Sequence, residues 1–180
     1  IIPHLIRILY ERKIHIRERF FYLKTNNKST EDVNNGGAFI MKNILFVFGG
    51  RSCESDVSVL TGLLAMSAAD GEKYNAVPLY ISASGEFFTG DKLKSLETFK
   101  NADGDFSRVA VKATFVPPDK AVYTIRKGKL IRGEVISAIV NCCHGGAGED
   151  GSLSGYFAFF GVPVCSPGVF AGAVSMDKAA

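Results

Sequence analysis

Short apolar segments alternate with segments of helical periodicity from residue 41 onward. Residues 43–48 form an apolar run that ends at a glycine pair, which is the pattern of a buried parallel strand. The next segment predicts a helix capped by Asp56, with an apolar face formed by Val57, Leu60, Leu64 and Ala68. Residues 76–82 predict a second strand, and residues 86–89 predict a hairpin strand that extends it.

The second half of the chain continues this alternation. Residues 121–125 and 130–131 predict a small hairpin at a sheet edge, and residues 135–143 predict a further buried strand. A glycine-rich turn then leads to a helix with inward positions at Leu153, Tyr156, Phe157 and Phe160. Residues 162–165 predict a last strand, and the final helix is expected to point inward at Val169, Ala173 and Met176. The order of elements indicates an α/β fold with a doubly wound, mostly parallel sheet.

Glycine turns with polar side chains follow two of the predicted strands. Because ligands of such sheets bind at the carboxyl ends of strands, the two turns are expected to form one shared site. Gly49 and Gly50 would let the backbone approach a ligand closely. Glu54, at the start of a helix, offers a fixed negative charge suited to an ammonium group. A favourable position beside the helix dipole explains Glu54 equally well.

The second turn contains His144 and two carboxylates, Glu149 and Asp150. A histidine after a strand is often a structural residue, but the glycine-rich surroundings favour a functional role for His144. Asp150 is interpreted as a structural residue that bonds nearby backbone amides. Glu149 and Ser58 are expected to hold the ligand-binding residues in position without binding the ligand themselves.

Residues 146–151 also match the G-x-G-x-x-G pattern of dinucleotide-binding turns. No Asp or Glu lies between Asp150 and Asp177 to bind a ribose, and two carboxylates at the helix mouth would repel a pyrophosphate. The dinucleotide interpretation is therefore weak. No P-loop pattern is present in the sequence.

Charge and cysteine content narrow the possible partners. Residues 1–40 hold 7 of the 21 Lys and Arg but 4 of the 18 Asp and Glu, so the remainder is neutral, with 14 of each sign. This distribution argues against a nucleic-acid partner. The four cysteines lack C-x-x-C spacing, which favours buried reduced thiols, no metal site and a cytoplasmic location. The apolar start is interrupted by Arg7, so neither a membrane span nor a targeting segment is predicted.

Residues 1–40 differ in character from the rest of the chain. Residues 24–37 are polar, and a clean strand pattern starts at Met41. One hypothesis is that Met41 is the native start and that residues 1–40 are upstream translation or a disordered extension, with Gly36-Gly37 encoding a ribosome-binding sequence. The alternative is a genuine amphipathic extension with apolar positions at Leu5, Ile8, Ile14 and Phe20.

The sequence resembles the D-alanine-D-alanine ligases over residues 41–180, in the order and spacing of six motifs. The motifs are FGGRS-x-E from Phe48, DVS from Asp56, HG-x-x-GEDG from His144, GVP from Gly161, S-x-GV-x-A from Ser166 and MDK from Met176. Two positions depart from the usual pattern. Gly146-Ala147 replaces Arg-Gly, and Cys142-Cys143 replaces an apolar pair.

The resemblance implies the Rossmann-like N-terminal domain of an ATP-grasp enzyme, without the two lobes that bind ATP and Mg²⁺ or Mn²⁺. In this family ATP phosphorylates one D-alanine, and the amine of a second attacks the acylphosphate to give the dipeptide of peptidoglycan precursors. By position, Glu54 would bind the ammonium of the first D-alanine, Val57 would line its methyl pocket, and His144 would lie near its carboxylate. No metal ligand is expected among residues 41–180.

The resemblance also implies a homodimer, and it leaves the second substrate open. A D-alanine-D-lactate or D-alanine-D-serine ligase of the vancomycin-resistance type would share the residues present here. A third possibility is a truncated binding module without catalysis. For the chain alone, no ligase turnover is expected.

Overall fold

The computed structural model describes residues 41–101, 104–177 and 179, which belong to one compact unit. The predictions for residues 1–40 lie outside the described residues. The strands are β1 (Lys42–Gly49), β2 (Tyr74–Ile81), β3 (Phe87–Thr89), β4 (Val111–Phe115), β5 (Ala121–Arg126), β6 (Lys129–Val135), β7 (Ala138–Asn141) and β8 (Val164–Cys165). The helices are α1 (Ser55–Ser67), α2 (Leu96–Asn101), α3 (Ser152–Phe159) and α4 (Val169–Met176). Short 3₁₀ turns cover Asp91–Lys94, Phe106–Arg108 and Gly146–Gly148.

All eight described strands form one mixed sheet in the order β6-β5-β4-β3-β2-β1-β7-β8. The pairs of β1 with β2, β1 with β7, and β7 with β8 are parallel. From β2 outward to β6 the pairing is antiparallel. The predicted α/β class is confirmed, and so are both predicted hairpins, with β6 at the sheet edge.

Helices cover both faces of the parallel strands. Successive side chains of β1 point to opposite sides of the sheet, so each face has its own set of packing contacts. Leu45 and Val47 belong to the core cluster that contains Phe157 of α3. Phe48 lies on the other face, where its ring meets Gly62 of α1. The helices therefore pack on both sides of the sheet, as the doubly wound arrangement requires.

The predicted apolar face of α1 is wrong. Val57, Leu60 and Leu64 are half-buried and Ala68 is exposed, while the buried positions are Ser58, Val59, Thr61, Gly62, Ala65 and Met66. Small residues on this face let the helix approach β1 closely. A Cβ at Gly62 would lie 2.6 Å from the Phe48 ring. The cap was also wrong, because the helix follows Glu54 and Asp56 lies in its first turn.

The two last helices bury less than their sequences predicted. In α3, Phe157 joins the core as expected, and so does Phe160 directly after the helix, whereas Tyr156 stays 38% exposed. In α4, Val169, Ala173 and Met176 are exposed, so their predicted inward orientation is wrong. Gly172 is the buried residue of this helix, because it packs against the backbone of residues 149–151. Close backbone contact replaces the side-chain packing that the pattern had predicted.

Two strand predictions differ from the structure. The strand β4 was not predicted, although Ala113 and Phe115 alternate with more exposed positions as a half-buried strand requires. The segment predicted as one strand over 135–143 contains the end of β6 and the short strand β7.

None of the helices in the described part of the chain has the length and apolarity that a membrane span requires.

Candidate functional site

The two glycine turns lie side by side, because they follow the adjacent parallel strands β1 and β7. The register pairs Val47 with Asn141, so Gly49 and His144 leave the same edge of the sheet. The turn after β1 leads through Ser52 to Glu54 and α1. The turn after β7 leads through His144 to Glu149 and α3. The structure thus brings the predicted site residues from both turns together.

Glu54, His144 and Glu149 form the centre of the candidate site. One ligand atom from each of the three side chains lies within 4.8 Å of the others. The His144 ring is buried, and its Nδ1 is 3.4 Å from Oε1 of Glu149. Both carboxylates are exposed to solvent. The arrangement places negative charge at the mouth of the site and an imidazole beneath it.

Ser58 connects the two strands below this cluster. Its side chain is fully buried, and its hydroxyl accepts a hydrogen bond from the Gly49 amide at 2.7 Å. The same hydroxyl donates to the carbonyl oxygen of Cys142 at 3.0 Å. Because one hydroxyl satisfies a backbone group at the end of each strand, Ser58 fixes the distance between the two turns.

Ser52 and Thr61 also contact His144, and the sequence interpretation missed both. The Ser52 hydroxyl donates to the carbonyl oxygen of His144 and accepts from the Glu54 amide at 3.2 Å. Oγ1 of Thr61 lies 2.9 Å from Nε2 of His144. Thr61 follows Ser58 by three residues, which places it on the same helix face. That spacing is the signal that could have identified it.

Asn141 shapes the glycine turn from the end of β7. Its amide nitrogen donates to the carbonyl oxygen of Gly148 at 2.7 Å, and its Oδ1 accepts from the Cys143 amide at 3.1 Å. Asn141 was not predicted as a site residue. Asp150 accepts a hydrogen bond from the Ser152 amide at 2.8 Å, which agrees with its interpretation as a structural residue.

The glycines of the two turns serve different purposes. A Cβ at Gly49 would lie 2.3 Å from the carbonyl oxygen of Ile81, so packing against β2 requires this glycine. Nothing lies within 4 Å of the corresponding position at Gly50, whose φ is +109°. Gly50 is therefore the glycine beside open space. Val57 is half-buried in the first turn of α1, one position before Ser58.

Two of the three glycines of the G-x-G-x-x-G segment, Gly148 and Gly151, are explained by packing as well. A Cβ at Gly148 would lie 2.6 Å from Cβ of Cys143, and one at Gly151 would lie 2.5 Å from the Val169 carbonyl oxygen. These close contacts are internal to the protein. They explain Gly148 and Gly151 without an approaching pyrophosphate, whereas nothing lies within 4 Å of a Cβ at Gly146.

The described residues do not fit an ATP-bound magnesium ion. Mg²⁺ prefers oxygen ligands, whereas the buried donor of the cluster is an imidazole whose Nε2 faces Thr61. Cys142 and Cys143 offer no alternative, because burial raises the pKa of Cys143 to about 12 and also raises the pKa of Cys142. Cys142 and Cys143 are buried as predicted, Cys165 is half-buried, and Cys53 is exposed, contrary to prediction.

Comparison with known proteins identifies relatives that match most of the described region. The family model of the D-ala D-ala ligase N-terminus matches residues 43–167. A D-alanine–D-alanine ligase of Thermosipho melanesiensis is 36% identical over 143 residues, which cover 77% of this chain and 37% of that protein. A ligase of the same name from Staphylococcus epidermidis is 34% identical and covers 76% of this chain and 36% of that protein.

Solved structures with a similar fold also include D-alanine-D-alanine ligases and a related ligase. The VanG D-Ala:D-Ser ligase from Enterococcus faecalis has a TM-score of 0.62 at 25% identity, covering 77% of this chain and 39% of that one. The D-alanine-D-alanine ligase from Coxiella burnetii has a TM-score of 0.65 at 22% identity, covering 77% and 38%, and it supports the fold. The chain spans somewhat more than a third of the length of these relatives.

Proposed function

Because the chain belongs to the D-ala D-ala ligase N-terminus family, we propose that it is the part of an ATP-dependent D-alanine-D-alanine ligase that holds the first D-alanine. The proposal is supported chiefly by the convergence of Glu54, His144 and Glu149 at the ends of two adjacent strands. This site is small and charged, which suits a small zwitterion. ATP and Mg²⁺ would be bound by parts of the ligase outside this chain.

Each site residue has a role that its position supports. Glu54 is exposed at the start of α1, where its carboxylate accepts hydrogen bonds from the ammonium group of D-alanine. Val57 lies in the same helical turn and lines the space for the methyl group. His144 lies beneath both carboxylates and faces the carboxylate of the amino acid, with Glu149 holding its Nδ1.

The contribution of these residues is positioning. Two fixed carboxylates select the ammonium end of the ligand, and the buried imidazole sets the direction of the other end. Gly50 leaves the backbone open beside them, while Gly49 and Ser58 hold the loop in place. An amino acid fixed at both ends presents its carboxylate to the rest of the ligase in one orientation.

Binding of D-alanine to the chain tests the proposal. Titration calorimetry or NMR titration is expected to detect D-alanine binding in preference to L-alanine. Glu54→Gln removes the charge and keeps the shape, so we expect affinity to fall by about ten- to a hundredfold, the loss typical of a charge-assisted hydrogen bond. Asp56→Asn is the matched control, because Asp56 is exposed in the same helical turn outside the cluster.

Circular dichroism of both variants checks that the fold is retained. A folded Glu54→Gln variant with wild-type affinity would contradict the assigned role of Glu54. Equal loss of binding in Asp56→Asn would show that only the overall charge near the helix matters.

A D-alanine-D-serine ligase is the second candidate. It is favoured by the likeness to VanG, the solved D-Ala:D-Ser ligase at 25% identity. Both activities need the same site for the first D-alanine. Supplying D-alanine, D-serine or D-lactate as second substrate to the full-length ligase, and identifying the product by mass spectrometry, decides between them.

Three wider expectations follow from the same assignment. The product would be D-alanyl-D-alanine for peptidoglycan precursors. The enzyme would be cytoplasmic, which agrees with four free thiols. It would be a homodimer, and the exposed rings of Phe159 and Phe170 offer apolar surface for such contacts. Light scattering of the full-length protein tests the dimer.

A further inference from the structure

Two serine hydroxyls connect the turn after β1 with the turn after β7, at two different levels. Ser58 lies lower and bonds backbone groups at the ends of both strands. Ser52 lies within the upper turn. Its hydroxyl donates to the carbonyl oxygen of His144 and accepts from the amide of Glu54 at 3.2 Å. The lower connection alone would let the turns spread apart above the strand ends, whereas both connections together fix their separation.

The hydrogen bonds of Ser52 have unambiguous directions. A carbonyl oxygen only accepts and a backbone amide only donates, so the hydroxyl must donate to His144 and accept from Glu54. The amide of Ser55 also bonds the carbonyl oxygen of Ser52, at 3.3 Å, and closes the turn directly before α1. The bond to His144 engages its backbone, so it does not depend on the protonation of the imidazole.

The two turns are also in direct contact at Gly145, the residue after His144. A Cβ on Gly145 would lie 3.1 Å from Cβ of Ser52 and 3.4 Å from Oε2 of Glu54. The φ of Gly145 is +69°, a conformation that glycine adopts without steric cost. The carboxylate of Glu54 therefore lies close to the backbone of the turn that carries His144. Any change in the separation of the turns changes the distance between these two residues.

We propose that Ser52 is a positioning residue that sets the separation between Glu54 and His144, and that this separation selects α-amino acids, whose two charged groups are attached to one carbon atom. The inference rests on the proposed function, in which Glu54 binds the ammonium group and His144 faces the carboxylate. A rigid site of fixed length favours ligands with one spacing of their charged groups. β-Alanine has one further carbon between these groups, a bond of about 1.5 Å, and should fit poorly.

A comparison of D-alanine with β-alanine tests the inference. Titration calorimetry of the full chain measures the two affinities separately, and wild-type protein is expected to prefer D-alanine by at least about tenfold. Ser52→Ala removes the upper connection and keeps Glu54 and His144. We expect its affinity for D-alanine to fall by about tenfold and its affinity for β-alanine to change by less than about threefold. The preference for D-alanine should therefore decrease.

Ser67→Ala is the matched control for Ser52→Ala. The Ser67 hydroxyl also donates to a carbonyl oxygen, that of Leu64 at 2.8 Å, but this bond lies within α1. Both affinities should stay unchanged in this variant. A loss of overall stability weakens the binding of both ligands alike, so the ratio of the affinities distinguishes a positioning role from a structural one. An unchanged ratio in folded Ser52→Ala protein would overturn the inference.

Gly145→Ala tests the same separation from the other turn, and it keeps the test decisive if Ser52→Ala does not fold. The added Cβ lies 3.1 Å from Ser52 and must push the turns apart, so the preference for D-alanine should again decrease. Gly146→Ala is its control, because the φ of Gly146 is also positive, at +48°, but nothing lies within 4 Å of the added atom. Equal loss of preference in both glycine variants would contradict the inference.

Amide hydrogen exchange without ligand separates this inference from the proposed function. The amides of residues 148–150 bond back to the carbonyl oxygens of Gly145 and Gly146. Ser52→Ala is expected to raise their exchange rates by about five- to tenfold, because the turn loses its connection to the turn after β1, and Ser67→Ala should not. Faster exchange in Ser52→Ala, combined with no D-alanine binding by wild type, would contradict the proposed function and support the positioning role of Ser52. D-alanine binding with unchanged exchange and unchanged preference would do the reverse.

Discussion

The two halves of the sheet use polar groups in opposite ways. Around the parallel strands β1 and β7, hydroxyls are buried and bonded to backbone, as Ser58 is between Gly49 and Cys142. In the antiparallel half, polar side chains pair with each other at the surface, as Asp119 does with Arg132. Buried bonds cost much to break because the freed groups are left without water, whereas surface pairs are replaced by hydration. The parallel half therefore holds a site in place, and the antiparallel half extends the sheet.

Adding a methyl group where β1 meets β2 should have the largest effect. Gly49→Ala places a Cβ 2.3 Å from the carbonyl oxygen of Ile81, at a φ of +88°. Backbone cannot yield as a flexible side chain does, so we expect a loss of about 3 kcal/mol or more in the free energy of unfolding. Urea denaturation followed by circular dichroism measures it.

Gly50→Ala is the matched control for this variant. Its φ is also positive, but nothing lies within 4 Å of the added atom, so only backbone strain of about 1–2 kcal/mol is expected. Equal destabilisation by both substitutions would show that strain, not packing against β2, explains Gly49.

Removing the buried hydroxyl between the two turns should have the next largest effect. Ser58→Ala leaves the Gly49 amide and the Cys142 carbonyl oxygen without this partner. We expect a loss of about 2–3 kcal/mol in the free energy of unfolding, together with weaker D-alanine binding, because both turns lose their common support.

Ser67→Ala in the same helix serves as the comparison variant. The Ser67 hydroxyl is exposed and bonds only within α1, to Leu64, so a change within about 0.5 kcal/mol is expected. If Ser58→Ala lowered the free energy of unfolding as little as Ser67→Ala, the contrast between buried and surface polar groups would be wrong.

Much of this architecture was predictable because the parallel strands are short apolar runs between glycines. The same pattern located both turns, and the positions of Glu54 and His144 at strand ends followed from it. The orientation of α1 was not predictable from hydrophobicity. Its buried face contains Ser58 and Thr61, which are buried for their hydrogen bonds and for close packing at Gly62.

Two of the three residues that were missed have partners far away in sequence. Asn141 bonds within the turn after β7, but Ser52 and Thr61 reach His144 across 92 and 83 positions. No local pattern encodes these pairs, although the three-residue spacing from Ser58 places Thr61 on the same face of α1. The predicted inward orientation of the α4 side chains was wrong for a related reason, because Gly172 packs on the backbone of a distant turn.

Removing a surface ion pair in the antiparallel half should have the smallest effect on stability. This effect should depend on pH. Hydrogen bonds from Arg132, at 2.6 and 3.0 Å, and from Tyr123, at 2.7 Å, lower the pKa of Asp119 from 3.8 to about 2. A carboxyl with a lowered pKa stabilises the fold above its unfolded pKa and loses that contribution as the pH falls through its folded pKa. The stabilisation should be complete above about pH 4 and lost near pH 2.

Asp119→Asn should therefore lower the melting temperature slightly at neutral pH and approach wild type as the pH falls toward about 2, where half of the wild-type carboxyl is protonated. Tyr123→Phe removes one of the hydrogen bonds and should give an intermediate curve. Thermal denaturation from about pH 7 to about pH 2 compares the three proteins. Because both partners are partly exposed, the difference should be smaller than that of Ser58→Ala at every pH. A larger effect would mean that the antiparallel half depends on its surface pairs as strongly as the parallel half depends on its buried hydroxyls.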